Sequence, residues 1–187
     1  MIRKVEGFKK YIGVVGFRDV SIGDVDRFLS LPQERLSDAT IQFFNADLIS
    51  GWEHLYFAGV NALKAFKNGT EISKSLAIET VLYASARRQI RVALDLVGIK
   101  SNSRRIALLI VADEKNVARE NIEDLTRLIP GERDDTVLEL SDEKVASIRR
   151  LFEISDVELA TKLDGQDEKK ALCDLVIEHV ALLVTQR

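Results

Sequence analysis

The chain has 187 residues, of which 46% are hydrophobic and 30% are charged, and its formal net charge is -3. This length and composition are typical of a soluble globular protein, so we expect one domain over residues 1–187. The single cysteine excludes an intramolecular disulfide, and no apolar run is long enough for a signal peptide or a membrane span, so the sequence predicts a cytoplasmic protein.

The hydrophobic pattern predicts strands and helices that alternate in the first two thirds of the chain. In chain order we expect a strand at 10–17, a helix at 21–31 closed by Pro32, a strand at 40–44, a helix at 51–67 and a helical stretch at 73–97. There follow a strand at 106–111, a helix at 115–128, an edge strand at 136–140 and three helices, from 142, from 155 and at 167–184. We expect the stretch at 73–97 to bend or break near residues 84–86.

Local signals mark several helix ends. Ser50 with Glu53, and Ser155 with Glu158, have the spacing of capping boxes that open helices. Gly69 is free to adopt the left-handed conformation that ends many helices. The order of elements predicts an α+β protein, in which a small mixed or antiparallel sheet of about four strands is covered by about seven helices.

Charge is unevenly distributed along the chain. Residues 59–105 contain nine basic and three acidic side chains, whereas residues 112–187 contain eleven basic and nineteen acidic ones. A basic middle segment can attract a polyanion locally while the protein stays acidic overall. The alternative is that these cations lie on solvated helix faces and bind nothing.

The residue groups that carry out most enzyme chemistry are missing from the sequence. Cys173 and His179 are about 240° apart around one predicted helix, so they cannot face each other as nucleophile and base. His54 lacks the Glu-x-x-His spacing of a carboxylate metal site, and residues 13–16 lack the Lys-Ser/Thr ending of a phosphate-binding loop. We therefore expect a binding or regulatory protein that is not an enzyme and has no metal or cofactor.

One part of the chain carries a more specific pattern. It contains the segments 41–49, 53–55, 62–69, 75–79 and 82–90, the last ending in Ser-Ala-Arg-Arg-Gln-Ile. This pattern resembles the small subunit of the KEOPS (EKC) complex, an archaeal and eukaryotic family that includes the human PRPK-binding protein. The resemblance is densest over residues 41–112. It departs from the family at Gly59 and Asn61, where we expect better helix formers.

The resemblance implies a function for the chain. The KEOPS complex installs a threonylcarbamoyl group on the adenosine beside the anticodon of certain tRNAs, and another subunit is the enzyme that does so. The resemblance implies that the small subunit is not an enzyme and that it docks on the kinase/ATPase subunit of the complex. In archaeal members it also captures the single-stranded 3′ CCA end of tRNA. The implied partners are thus the kinase/ATPase subunit, tRNA and, through the complex, the other subunits.

The resemblance and the basic segment together predict where the tRNA end binds. Cationic side chains hold the phosphates of single-stranded RNA, and planar or polar side chains stack on and read its bases. The candidate residues are Lys74, Tyr83, Arg87, Arg88, Gln89 and Arg91, with His54 and Lys67 beside them. Each has a structural alternative: a core position for Tyr83, a backbone carbonyl partner for Gln89, a capping or structural role for His54, and pairing with Glu79 or Asp95 for the arginines.

The predicted kinase interface uses aromatic and apolar residues. Trp52 and Tyr56 are four residues apart at the start of a predicted helix, and both residue types are enriched at interface anchors. Leu182 and Leu183 belong to a C-terminal helix end that is too apolar for a free terminus, and its alternative role is packing against the sheet. The alternative function is a structural adaptor that binds and activates the kinase without binding RNA.

Overall fold

The computed structural model describes residues 1–35, 38–163, 165 and 167–185. Its strands are β1 (Ile2–Lys4), β2 (Tyr11–Arg18), β3 (Ala39–Asn45), β4 (Ile106–Ala112) and β5 (Glu132–Arg133). Its helices are α1 (Val25–Arg35), α2 (Trp52–Asn68), α3 (Leu76–Ser85), α4 (Ile90–Val97), α5 (Lys115–Leu128), α6 (Asp142–Phe152), α7 (Asp156–Lys162) and α8 (Glu168–Leu182). Short 3-10 helices cover Ala46–Leu48, Asp135–Leu138 and Leu183–Thr185. The predicted α+β class is confirmed.

The strands form an antiparallel sheet in the order β1-β2-β4-β3, and β5 pairs with the end of β2. In the central pair, β2 lies against β4 from Tyr11 opposite Ala112 to Phe17 opposite Ile106. Successive residues of a strand point to opposite faces, so each strand contributes to two layers of packing.

Two apolar cores lie on the two faces of this sheet. Val14 and Leu109 belong to the core that packs under α2, α3, α6 and α8, while Val15 and Leu108 belong to the core that packs under α1 and α5. The functional residues predicted above all lie on the side of α2, α3, α4 and α8. This layer is therefore the one that positions the candidate site.

The helix α2 approaches the sheet closely at Gly59. A Cβ atom at this position would lie 2.9 Å from Cδ1 of Ile12 and 3.4 Å from Cδ1 of Leu109. The departure from the family pattern at Gly59 thus has a packing reason, because any side chain there would press against β2 and β4.

Two predicted helix ends are confirmed on the same side of the sheet. Gly69 adopts a left-handed φ of 65° after α2, and Ala86 adopts a left-handed φ of 51° after α3. The stretch predicted at 73–97 is therefore broken at Ala86 into α3 and α4, within the range 84–86. The capping box of Ser155 and Glu158 at the start of α7 is also confirmed.

Other local predictions are wrong. Residues 136–140 form no strand, because the side chain of Asp134 accepts the N–H of Thr136 and closes a 3-10 turn. Ser50 and Glu53 form no capping box, since Gly51 is the N-cap of α2 and makes no side-chain hydrogen bond. The first helix does not end before Pro32, because α1 continues to Arg35. Across the described ranges, no helix is long and apolar enough to cross a membrane.

Candidate functional site

The turn between α3 and α4 brings three of the predicted RNA-binding residues together. After the left-handed residue Ala86, Gln89 takes the N-cap position of α4. Arg88, Gln89 and Arg91 are all exposed around this turn. In the described part of the chain, the side chain of Gln89 makes no hydrogen bond, so its amide is available to a ligand.

Two exposed apolar side chains lie on α4 next to these polar residues, and the sequence analysis did not predict them. Ile90 is 41% exposed and Leu94 is 37% exposed, one turn apart on α4. Ala93 and Val97 form the buried face of this short helix, and Ile90 and Leu94 are apolar residues outside that face. An amphipathic helix with apolar residues beyond its buried face is the sequence signal that could have identified Ile90 and Leu94. We call Arg88, Gln89, Ile90, Arg91 and Leu94 the α3–α4 surface.

Arg87 lies beside this surface but is engaged within the protein. Its Nη2 atom donates to Oε1 of Glu153 at 2.6 Å and to the backbone oxygen of Leu151 at 3.2 Å. The pairing alternative for this arginine is therefore observed, although its acidic partner is neither Glu79 nor Asp95. The contact ties the turn after α3 to the end of α6, which makes Arg87 a positioning residue.

Most other cations of the basic segment 59–105 are free to meet an external anion. Besides Arg87, Arg105 is paired, with Asp47 and Glu143. Elsewhere in this segment, the described structure gives no acidic partner to Lys64, Lys67, Lys74, Arg88, Arg91, Lys100 and Arg104. The positive charge of the segment is thus largely unneutralised at the surface.

Lys67 and Lys74 lie at the far end of α3 from the α3–α4 surface. Both are exposed, and the Nζ atom of Lys67 lies 5.1 Å from the centre of the Phe8 ring. Since α3 has 10 residues, it separates Lys74 from Arg88 by about 15 Å along its axis. The two lysines therefore form a second group of cations on the same layer rather than part of one compact cluster.

The segment that carries Lys74 is fixed by a buried carboxylate. Glu79 is completely buried, and its Oε2 atom accepts the N–H of Ile72 at 3.0 Å and the N–H of Ser73 at 2.7 Å. Hydrogen bonds to a charged acceptor are among the stronger ones in proteins. Glu79 therefore positions the loop before α3 and is not available to pair with an arginine at the surface.

His54 is a core residue, which corrects the expectation that it contacts RNA. It is 1% exposed; its Nδ1 atom accepts the N–H of Ser50 at 3.2 Å, and its Nε2 atom lies 2.8 Å from the carbonyl oxygen of Ala84. The ring also meets Phe152 edge to face, with 5.5 Å between the ring centres. Burial lowers the pKa of His54 to about 4, against the smaller opposing effect of the Ala84 hydrogen bond. The neutral ring joins α2 to α3 beneath the candidate surface.

Tyr83 is also a core residue, so the expectation that it stacks on a base is corrected too. The residue is 5% exposed and belongs to the core under α2 and α3. Burial raises the pKa of its hydroxyl, and the nearby carboxylate of Glu79 adds to that effect. Its ring therefore belongs to this core and not to the α3–α4 surface.

The predicted kinase-binding residues differ in how much of each side chain is exposed to solvent. Trp52 and Tyr56 are half-buried, their ring centres are 5.8 Å apart, and the guanidinium of Arg3 lies 4.1 Å from the centre of the Trp52 ring. Leu182 is 53% exposed, whereas Leu183 is 1% exposed and packs in the core. The expectation that Leu183 contacts the kinase is therefore corrected, because its side chain is already covered by this chain.

The described residues offer little for covalent or metal chemistry. They contain no group of three or more histidine, cysteine or acidic side chains that could hold a metal ion. The thiol of Cys173 donates to the backbone oxygen of Ser50 at 2.7 Å, and burial raises its pKa to about 11. The thiolate that would act as a nucleophile is thus scarce at neutral pH.

Comparison with known proteins identifies the family. The sequence profile of the family described as "Kinase binding protein CGI-121" matches residues 24–183. The chain belongs to the CGI-121 family. A curated relative, the "Regulatory protein Cgi121" of Methanocaldococcus jannaschii, is 34% identical over 113 residues, which are 60% of this chain and 70% of that protein. The predicted family is confirmed, and the CGI-121 match includes the whole α3–α4 surface.

Proposed function

We propose that the chain is a non-catalytic subunit of the KEOPS complex that binds the kinase/ATPase subunit and captures the single-stranded 3′ CCA end of tRNA in the cytoplasm. Membership of a kinase-binding family supports the first half of this proposal. The observation that carries the second half is the α3–α4 surface, on which exposed Arg88 and Arg91 lack acidic partners in the described structure.

The chemistry of this surface suits unstacked nucleotides. Arg88 and Arg91 present planar, permanently charged groups that bind phosphate and also stack on bases. The free amide of Gln89 can both donate to and accept from a base edge. Ile90 and Leu94 offer apolar contact to the base planes. Lys67 and Lys74, at the far end of α3, would meet phosphates further along the RNA.

The proposal is tested by titrating a tRNA, and the same tRNA without its CCA end, in a mobility-shift assay. We expect the trimmed tRNA to bind much more weakly. The double variant R88A/R91A should lose affinity for the intact tRNA. The slope of its log affinity against log salt concentration should be smaller in magnitude by about 1.4, because each lost single-strand phosphate contact removes roughly 0.7.

Arg119→Ala is the matched control, because Arg119 is an exposed cation on α5, on the opposite face of the sheet. This variant should bind tRNA like the wild type. Equal binding of intact and trimmed tRNA would contradict capture of the CCA end. Unchanged affinity of R88A/R91A would contradict the placement of the site on the α3–α4 surface.

The second candidate function is an adaptor that binds and activates the kinase without RNA. The contact of Arg87 with Glu153 favours it, because one arginine of the predicted cluster is used to hold the fold. The two functions differ in one measurement. An adaptor binds the purified kinase subunit but shifts neither tRNA in the assay above.

A further inference from the structure

A cavity of about 630 Å³ opens beside the first turn of α2, away from the α3–α4 surface. This volume lies within the range of sites that bind ligands or partner side chains. Its apolar lining comes from five parts of the chain: the residue before β1, β2, the first turn of α2, the segment after β5, and α8. The large apolar residues are Met1, Val14, Trp52, Leu138, Leu140 and Ile177.

The uncapped first turn of α2 lies along one wall of this cavity. Residues 50–54 all line it, and the N-cap Gly51 makes no side-chain hydrogen bond to the first turn of α2. The first N–H groups of a helix need an external acceptor when no side chain caps them. Ser50 adds a second feature, since it is 1% exposed and its Oγ atom has no hydrogen-bond partner among the residues that the structure describes.

The charged residues around the cavity leave an excess of free carboxylates. Glu53, Glu139 and Asp174 line it without an ion pair to any part of the chain that the structure describes. On the basic side, Lys169 is held by Asp142 at 2.8 Å, and the amino group of Met1 donates to the backbone oxygen of Val14 at 2.7 Å. Together with Lys170, these cations are not enough to pair all three free carboxylates. A free anion is therefore disfavoured, whereas a basic group at the mouth is favoured.

We propose that this cavity receives an apolar side chain of the kinase subunit, flanked in the kinase sequence by lysine or arginine. The apolar walls would enclose the side chain, the first turn of α2 would bind a backbone carbonyl of the kinase, and the free carboxylates would meet the basic flank. This inference rests on the proposed kinase-binding function and names its contact site. Trp52, which was expected at the kinase interface, forms part of the wall.

Trp52 gives a direct readout, because it is the single tryptophan of the chain. A ¹⁵N-labelled chain has one indole N–H resonance, and adding the purified, unlabelled kinase subunit of the same complex should shift it. The affinity of the same pair is then measured by calorimetry for the wild type and its variants.

Two variants and one control test the site. Ile177→Glu places a carboxylate among the apolar walls and should weaken kinase binding about tenfold or more. Glu139→Gln removes one exposed carboxylate at the rim and should weaken binding about threefold, with a smaller dependence on salt. Glu123→Gln, an exposed carboxylate on α5 across the sheet, should bind like the wild type.

The outcomes separate this inference from the function on which it rests. If the wild type does not bind the kinase at all, both the proposed kinase binding and this site are wrong. If the wild type binds but the Trp52 resonance does not move and Glu139→Gln binds like Glu123→Gln, only the site is wrong. Because Glu139 is exposed, its variant tests the site even if Ile177→Glu fails to fold.

Discussion

The Nε2 atom of His54 lies 2.8 Å from the carbonyl oxygen of Ala84, and this contact joins the first turn of α2 to the last turn of α3. The other ring nitrogen accepts the N–H of Ser50, so the proton of the neutral ring is on Nε2. Ala84 immediately precedes the residues that turn the chain into α4. The position of the α3–α4 surface therefore depends on an uncharged histidine.

This dependence predicts acid sensitivity. Burial lowers the pKa of His54 from 6.5 to about 4, so between these pH values the folded state binds fewer protons than the unfolded state. The stability contributed by His54 is complete above pH 6.5 and is lost as the pH falls toward 4, by about 3 kcal/mol in total. Urea denaturation between pH 4.5 and 7.5, about this window, should show this loss for the wild type but less of it for His54→Gln. Equal slopes for the wild type and His54→Gln would contradict the prediction.

From the burial of Lys144 we predict that the free energy of unfolding changes with pH in the alkaline range. Lys144 is 3% exposed, and its Nζ atom donates to the carbonyl oxygens of Val137 at 2.5 Å and Ile49 at 3.2 Å. Burial lowers its pKa from 10.5 to about 8, so above pH 8 the folded state binds fewer protons than the unfolded state and the free energy of unfolding rises with pH. Denaturation between pH 7.5 and 9, below the range in which the raised pKa of Cys173 has the opposite effect, should show this rise in the wild type and in the exposed control Lys115→Met, but not in Lys144→Met.

Gly16 predicts a large effect from one methyl group. A Cβ atom there would lie 2.5 Å from Cγ2 of Val137 and 2.6 Å from the backbone oxygen of Asp134. Either β2 or the 3-10 helix Asp135–Leu138 must therefore move to make room for it. Gly16→Ala should lower the free energy of unfolding by about 1–3 kcal/mol. Gly23→Ala is the control, because nothing lies within 4 Å of its added Cβ. Equal stability of the two variants, measured by urea denaturation, would contradict this close packing.

Glu79 predicts a local loosening of the loop that carries Lys74. Glu79→Ala removes the acceptor of the N–H groups of Ile72 and Ser73, at a cost of about 1–3 kcal/mol for donors left unpaired. Hydrogen exchange should accelerate at those two amides. Glu79→Gln, which keeps one acceptor oxygen, should have a smaller effect, and the exposed control Asp95→Ala should have none. Unchanged exchange in Glu79→Ala would show that the loop is held by other contacts.

The sequence was most informative where the local signal is strong and continuous. The apolar run of the first long strand is uninterrupted. The strand predicted at 10–17 therefore agrees with β2 (Tyr11–Arg18) to within one residue at each end. By contrast, β1 (Ile2–Lys4) has three residues and exists because β2 pairs with it, which no local pattern signals. The strand predicted at 136–140 is wrong because the hydrogen bond from the N–H of Thr136 to the side chain of Asp134 outweighs the β propensity of that segment.

The candidate site was predictable to a similar extent. The charge of the segment around Arg88 and Arg91 could be read from the sequence, and both side chains are exposed. The engagement of Arg87 could not, because Glu153 is 66 residues away and meets it only in the folded protein. The burial of His54 and Tyr83 also depends on packing between helices, which a single sequence does not specify.

The central pairing of β2 with β4 has a consequence for synthesis of the protein. Tyr11 pairs with Ala112, so β2 leaves the ribosome well before its partner has been translated. Both β2 and β3 pair with β4. The sheet can therefore be completed only after α1 through α4 have been synthesised. Until then, β2 can pair only with the short strand β1, and its apolar residues lack the contacts with β4 that bury them in the finished sheet.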